Sequence, residues 1–423
     1  MIKIIRDENI DISNILSGRG DAGNVYEVVN EIIGQVRERG DEALFEYSAK
    51  FDKVSLESFE VSEAELDDAM ANADAELVEI MKEAAANIYE YHKNQLRKGF
   101  KIERSDGAVL GQRILPLEKV GLYIPGGTAS YPSSVLMNCI PAKIAGVKEI
   151  VLVSPPTTDG KIAPNILAAA KIAGADRVFK IGGAQAVAAL AYGTESIPKV
   201  DKIVGPGNRF VAEAKRQVFG KVAIDMVAGP SEILVVADAD NDPGFVAADL
   251  LSQAEHDTVA AAILITTSEE LAVEVSKELE LQLSKLPREN IARASIDNYG
   301  AIIVCDTVER AVELANQAAP EHLELCVKNP FDYLESVVNA GSVFLGKYCP
   351  EALGDYFSGT NHTLPTNGTA RFSSPLSVDD FIKKSSYTYY TKEAFEKVGK
   401  KVAAFAENEG LDAHANSAKI RYR

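Results

Sequence analysis

Five histidines serve a chain of 423 residues, and four of them fall inside short polar clusters. These are Gln253-Ala254-Glu255-His256, Pro320-Glu321-His322, Gly354-Asp355 through His362, and Glu409 through His414. Gln253 and His256 stand three residues apart at the end of a helical run, so one helical face offers an amide oxygen and an imidazole nitrogen together. A borderline-soft divalent cation such as zinc accepts that pair and is completed by an oxygen and a further nitrogen, the donor types of Asp355 and His414. Glu321 and His322 are adjacent, so their side chains point apart and can act on two different atoms of one ligand. Taken singly, each histidine reads more readily as a satisfied core or surface group, and it is the four clusters together that point to a site. Pro320-Glu321 also fits the start of a helix, with proline in the first turn and the carboxylate against the dipole.

The elements that must position these groups alternate along the chain. Ser62-Glu63-Ala64-Glu65 has the form of a capping box and opens an Ala-, Glu- and Leu-rich helical region that runs past Ile88 and Tyr91. From Val120 the period shortens. Apolar runs at 120–124, 149–154, 177–181, 202–204 and 222–226 alternate with Ala-rich helical stretches, and a second series follows at 232–237, 260–266, 301–305 and 342–345. The expected fold is α/β: two Rossmann-like, incompletely doubly wound modules, with a helical N-terminal region and a C-terminal tail that is helical from Thr391 to Ala406.

Three glycine-rich turns follow strands of the first module: Pro125-Gly126-Gly127-Thr128, Gly182-Gly183-Ala184-Gln185 and Gly205-Pro206-Gly207-Asn208. Glycine there admits tight turns and lets backbone N–H groups approach a diphosphate. None completes G-x-G-x-x-G, and no acidic ribose clamp follows the first turn, so the residues alone give little reason to expect tight dinucleotide binding. The 44 basic and 62 acidic residues leave a net charge of −18, which disfavours nucleic acid and anionic membrane partners. No apolar run approaches the length of a membrane span, and the N-terminus lacks the form of a secretory signal, so a soluble cytoplasmic protein is expected. Cys139, Cys305, Cys326 and Cys349 are scattered, with no C-x-x-C pair. The apolar runs around Cys305 and Cys326 read as buried strands and weigh against a nucleophilic thiol. His92 lies outside every cluster and is assigned no role.

Ala228-Gly229-Pro230-Ser231-Glu232, Asp249 through His256, Ala319-Pro320-Glu321-His322-Leu323, Gly354-Asp355-Tyr356 with Ser358 through His362, and Glu409-Gly410-Leu411 with Ala413-His414 together resemble histidinol dehydrogenase over essentially the whole chain. The resemblance implies oxidation of L-histidinol through the aldehyde to L-histidine with two NAD and one zinc per subunit, the last step of histidine biosynthesis. It makes Gln253, His256, Asp355 and His414 the zinc ligands, Glu321 the activator of water and His322 the general base. It adds Ser231, His362 and Glu409, with His322 and the metal ligands, as substrate contacts, and Tyr123, Gln185 and Asn208 as cofactor positions. It also implies a homodimer whose C-terminal segment completes the other subunit's site. The organisation expected on this basis is an N-terminal arm at 1–25 and a larger α/β domain from 26–119 and 231–375 that carries the metal and catalytic residues. An NAD-binding domain at 120–230 and an exchanged tail at 376–423 complete it. A dehydrogenase of another amino or sulfonated alcohol, and a zinc hydrolase with Glu321 as base, remain as alternatives.

Overall fold

The computed structural model describes residues 2–8, 10, 12, 25–126 and 130–422. Most of the arm at 1–25, and Gly127-Thr128 of the first glycine turn, lie outside the described residues. The chain divides into two compact units, one of residues 1–95 and 117–381, the other of 96–116 and 382–423.

The strands, in chain order, are β1 (Lys3–Arg6), β2 (Phe100–Glu103), β3 (Val109–Pro116), β4 (Lys119–Tyr123), β5 (Glu149–Ser154), β6 (Arg177–Lys180) and β7 (Lys202–Val204). They continue with β8 (Ala223–Ile224), β9 (Glu232–Ala237), β10 (Ala261–Thr266), β11 (Ala301–Val304), β12 (His322–Cys326), β13 (Ser342–Leu345) and β14 (Ile382–Tyr389). The first unit holds two all-parallel sheets, ordered β6-β5-β4-β7-β8 and β1-β11-β10-β9-β12-β13. Numbered within its own module, each sheet runs 3-2-1-4-5, the order of a doubly wound fold that stops one strand short, and β1 adds an outer edge to the second. The two modules expected from the sequence are therefore present.

Period-two alternation explains why both faces of each sheet are covered. In the first sheet Val120, Leu122, Ile150, Leu152 and Val178 face one helical layer, and Tyr123, Val151, Val153, Phe179 and Ile203 face the other. In the second, Ile233, Val235, Leu264 and Ile302 face one layer while Leu234, Val236, Ile263, Ile303 and Leu323 face its opposite. The helices between residues 26 and 92, expected to belong with the second sheet's domain, bury Val29, Ile32, Leu44, Val78 and Ile88 against the first sheet instead. Ser62 does form a capping box, its hydroxyl accepting from the Glu65 N–H while Glu65 accepts from the Ser62 N–H.

The second unit was not expected as such. Here β2, β3 and β14 form an antiparallel sheet, joining residues 96–116 to a segment that had been read as helical tail. The helices Lys392–Asn408 and Asp412–Lys419 pack on each other through Ala403, Ala406, Ala415 and Ala418. Among the described residues no helix is long and apolar enough to cross a membrane.

Candidate active site

Seven of the predicted residues line one cavity of about 310 Å³ in the first unit: Ser231, Gln253, His256, Glu321, His322, Asp355 and His362. Its wall is completed by Pro125 and by Gly205, Pro206 and Gly207, which lie just past β4 and β7, where the strand order of the first sheet reverses. The first module thus presents the carboxyl ends of its strands, while the second presents the amino ends of β9 and β12. Gly205 cannot be replaced there: its φ is +111°, and a Cβ would lie 2.1 Å from the Tyr123 carbonyl oxygen.

Glu321 and His322 do not open a helix. The helix Val308–Ala318 ends at Ala319, which adopts a left-handed conformation with φ 50°, and the chain then enters β12 at His322. Proline reads the same way before a strand as at a helix start, so the local sequence could not separate the two. Strand pairing with β9 fixes both side chains. The Glu232 N–H donates to Glu321 Oε2 at 3.0 Å, the Glu321 N–H donates to Glu232 Oε2 at 3.3 Å, and His322 Nδ1 lies 3.1 Å from the Glu232 carbonyl oxygen. A proton on Nδ1 shared with that carbonyl leaves Nε2 as the basic nitrogen, and Nε2 is buried without a hydrogen-bond partner, 3.6 Å from Asp355 Oδ1.

Burial pushes Glu321 up to about 7, against the pull of His322. For His322 burial acts downward, but Glu321, Glu351 and Asp355 outweigh it and hold the imidazole well above its usual range. Burial acts upward on Asp355, but the neighbouring imidazole of His322, with His362 and His256, outweighs it and holds the carboxylate below its ordinary range. Burial lowers His256 and His362, keeping both neutral near pH 7. His362 is fixed at both nitrogens, Nε2 3.2 Å from Ser134 Oγ and Nδ1 3.0 Å from the Asp355 carbonyl oxygen.

Glu232 and Glu351 are the residues that sequence reasoning passed over. Glu351 is buried, its Oε1 accepts from Ser252 Oγ at 2.6 Å, and its Oε2 lies 3.6 Å from His322 Nδ1 with no hydrogen-bond partner. Burial pushes it up to about 8. The signal available was its place four residues before Asp355, one turn away on the same helical face. His92 also acquires a place: buried at a helix end, it meets Gln95 Oε1 at 2.7 Å and the Asn361 amide at 3.4 Å, next to His362.

The donor set can be tested against zinc from the protein alone. Neutral imidazole and ionised carboxylate are the forms a metal takes, and His256 and Asp355 are held in those forms. The Gln253 amide satisfies its own hydrogen bonds when its NH₂ donates to Glu351 Oε1 at 3.1 Å and His256 Nδ1 at 3.0 Å and its oxygen accepts from the Glu232 N–H. Turned over, its oxygen would take a proton from His256 Nδ1 and free Nε2 for a cation. Among the described residues no group of three His, Cys, Asp or Glu side chains could by itself hold a metal ion. Gln253, His256 and Asp355 fit three positions of a mixed nitrogen and oxygen shell and leave the fourth to another donor. His414 and Glu409 lie in the second unit, lining a cavity of about 550 Å³ with Val402, Phe405 and Leu411.

The three predicted cofactor positions, Tyr123, Gln185 and Asn208, line a separate cavity of about 480 Å³ at the carboxyl ends of the first sheet. Tyr123 Oη accepts from the Gly183 N–H at 3.0 Å, at the start of the helix Gly183–Tyr192. Asn208 caps the following helix, its side chain accepting from the Phe210 and Val211 N–H groups. No cysteine lines either cavity. All four are free thiols, and burial pushes Cys139 up to about 12 and raises Cys305 and Cys326, which is the setting of inert sulfur.

Comparison with known proteins decides between the readings this geometry allows. The histidinol dehydrogenase family model matches residues 17–422. The chain belongs to the histidinol dehydrogenase family. It is 53% identical to a histidinol dehydrogenase of Clostridium acetobutylicum, covering 100% of this chain and 99% of that one. It is 56% identical to one of Bacillus cereus, covering 100% and 96%. The crystal structure of histidinol dehydrogenase from Elizabethkingia anophelis superposes with a TM-score of 0.94 at 41% identity, covering 100% of this chain and 98% of the other. Histidinol dehydrogenases are NAD-dependent oxidoreductases that act on an alcohol and an aldehyde in histidine biosynthesis, and the hydrolase alternative falls away.

Proposed function

We propose that the chain oxidises L-histidinol to L-histidine by two successive two-electron steps at one cavity, with two NAD and one zinc per subunit, as a cytoplasmic homodimer with shared sites. The observation that carries this reading is the convergence of Glu321 and His322 with Ser231, Gln253, His256, Asp355 and His362 around one cavity beside the switch point of the first sheet. His322 takes the alcohol proton on Nε2, the nitrogen left free by the contact of Nδ1 with the Glu232 carbonyl, and Asp355, 3.6 Å from Nε2, stabilises the imidazolium that forms. NAD, when bound, supplies the hydride acceptor in both oxidations. After His322 has released the first proton to solvent, Glu321, with its pKa near neutrality, deprotonates the water that adds to the aldehyde, and His322 takes the proton of the resulting gem-diol as the second hydride leaves. Zinc, when bound by Gln253, His256, Asp355 and His414 of the partner subunit, supplies a Lewis-acid clamp for the imidazole and amine of histidinol.

Sharing of sites is supported by the second unit. Its helix pair leaves Val402 49%, Phe405 71% and Leu411 43% exposed beside Glu409 and His414, an apolar face that a second copy can cover while receiving those two side chains.

The division of labour between Glu321 and His322 is tested by Glu321→Gln. The variant should still oxidise the alcohol within about tenfold of the parent rate while losing about 10²- to 10⁴-fold in the aldehyde step, so that one NADH forms per histidinol and aldehyde can be trapped with a hydrazine. Two NADH at the parent rate would remove Glu321 from the mechanism.

A further inference from the structure

Among the described residues that line the Tyr123 cavity one side chain is charged, and it lies outside every motif of the sequence. Asp52 ends a wide helical turn, Ser48–Asp52, that closes on Lys53 in the left-handed conformation at φ 61°. Turns of this kind recur at functional sites. Asp52 Oδ2 is buried and has no hydrogen-bond partner among the described residues. The neighbouring cations are engaged elsewhere: the Lys53 ammonium donates to the Lys50 carbonyl at 2.7 Å, and the Lys50 ammonium lies 5.4 Å from the Phe51 ring centre. Neither of them lines the cavity.

In a doubly wound module the carboxylate that receives the adenosine ribose normally follows the second strand. The second strand here is β5, and it is followed by Pro155-Pro156, which line the cavity and offer no acceptor side chain. Phe51 and these prolines give the flat, apolar walls an adenine ring requires, and Asp52 stands beside them. A half-buried carboxylate with an unpaired oxygen calls for hydroxyl donors, and a ribose diol carries two. A ribose 2′-phosphate would instead set like charges together, with no lysine or arginine among the described residues that line the cavity to compensate.

We propose that Asp52 binds the hydroxyls of the adenosine ribose of NAD and thereby sets the preference for NAD over its 2′-phosphorylated form. The inference rests on reading this cavity as the adenosine end of the dinucleotide site. A half-buried carboxylate with one oxygen unpaired among the described residues also weakens the fold in the absence of ligand. Burial lifts Asp52 from 3.8 to about 6, so the penalty is absent below about pH 4, grows between 4 and 6 and is complete above 6. Tyr123, which lines the same cavity, is pushed up to about 12 and stays neutral throughout that range.

The test is calorimetric titration of the zinc-loaded full chain with NAD and with NADP, for the parent, Asp52→Asn and Gln185→Ala. Loss of a hydrogen bond to a charged group predicts NAD binding about 10- to 100-fold weaker in Asp52→Asn, with NADP unchanged or tighter, so that the ratio of the two affinities collapses. The same variant should melt at a higher temperature than the parent at pH 8 and at the same temperature at pH 4. An unchanged affinity ratio overturns the proposal, and an unchanged ratio with a lower melting temperature at pH 8 makes Asp52 a structural residue. Gln185→Ala separates the layers. If it weakens both dinucleotides while Asp52→Asn leaves their ratio intact, the cavity reading stands and the role of Asp52 falls. If neither variant changes binding, both fall.

Discussion

Replacing His322 with asparagine should lower kcat for histidinol oxidation by about 10²- to 10⁴-fold, the range for loss of a positioned general base, while histidinol still binds. Both oxidations should suffer, because the same Nε2 is the acceptor for the alcohol proton and for the gem-diol proton. Asparagine keeps a donor for the Glu232 carbonyl, which holds His322 Nδ1 at 3.1 Å, so the strand pairing of β12 with β9 survives. Stopped-flow measurement of NADH formation from histidinol and, separately, from histidinaldehyde checks this. A variant impaired in one step alone would mean that two different bases serve the two oxidations.

Removing residues 409–423 should abolish activity and zinc retention while leaving the first unit folded, since the parallel sheets and their helical layers end at Phe381. The deletion takes away Glu409 and His414 but none of the residues lining the cavity that holds Glu321 and His322. Mixing the truncated chain with a full-length His322→Ala chain should restore activity at one site of each mixed dimer, because each chain supplies what the other lacks. Mixed dimers, isolated by two affinity tags, that remain inactive would show that the tail serves its own subunit.

How much of this was legible in the sequence depended on whether a feature is local. Strands β4 to β7 and β9 to β11 could be read from apolar runs because their central residues are buried on both faces, and the spacing of Gln253 and His256 puts them close together although the helix ends at Ala254 and His256 lies in the turn that follows. The antiparallel sheet escaped because its strands show no alternation: Phe100–Glu103 is exposed at every position, and Ile382–Tyr389 at nearly every one. Its pairing also joins segments some 270 residues apart, as in Gly111 with Tyr387. The helices between 26 and 92 were assigned to the wrong sheet because amphipathicity reveals that a face is covered, not what covers it. Asp52 and Glu351 lay outside every motif for a related reason. A carboxylate looks solvated in sequence, and only the fold shows that Asp52 stands beside Tyr123 and Gln185, or that Glu351 stands behind His322.

The central claim, a four-electron oxidation at one metal-dependent site, is tested most directly by counting NADH formed per L-histidinol consumed in the full-length protein as isolated, after chelation, and after zinc is restored. The account predicts two NADH, none after chelation, and two again with zinc. One NADH with free aldehyde, or two that persist after the metal is shown to be gone, would contradict it.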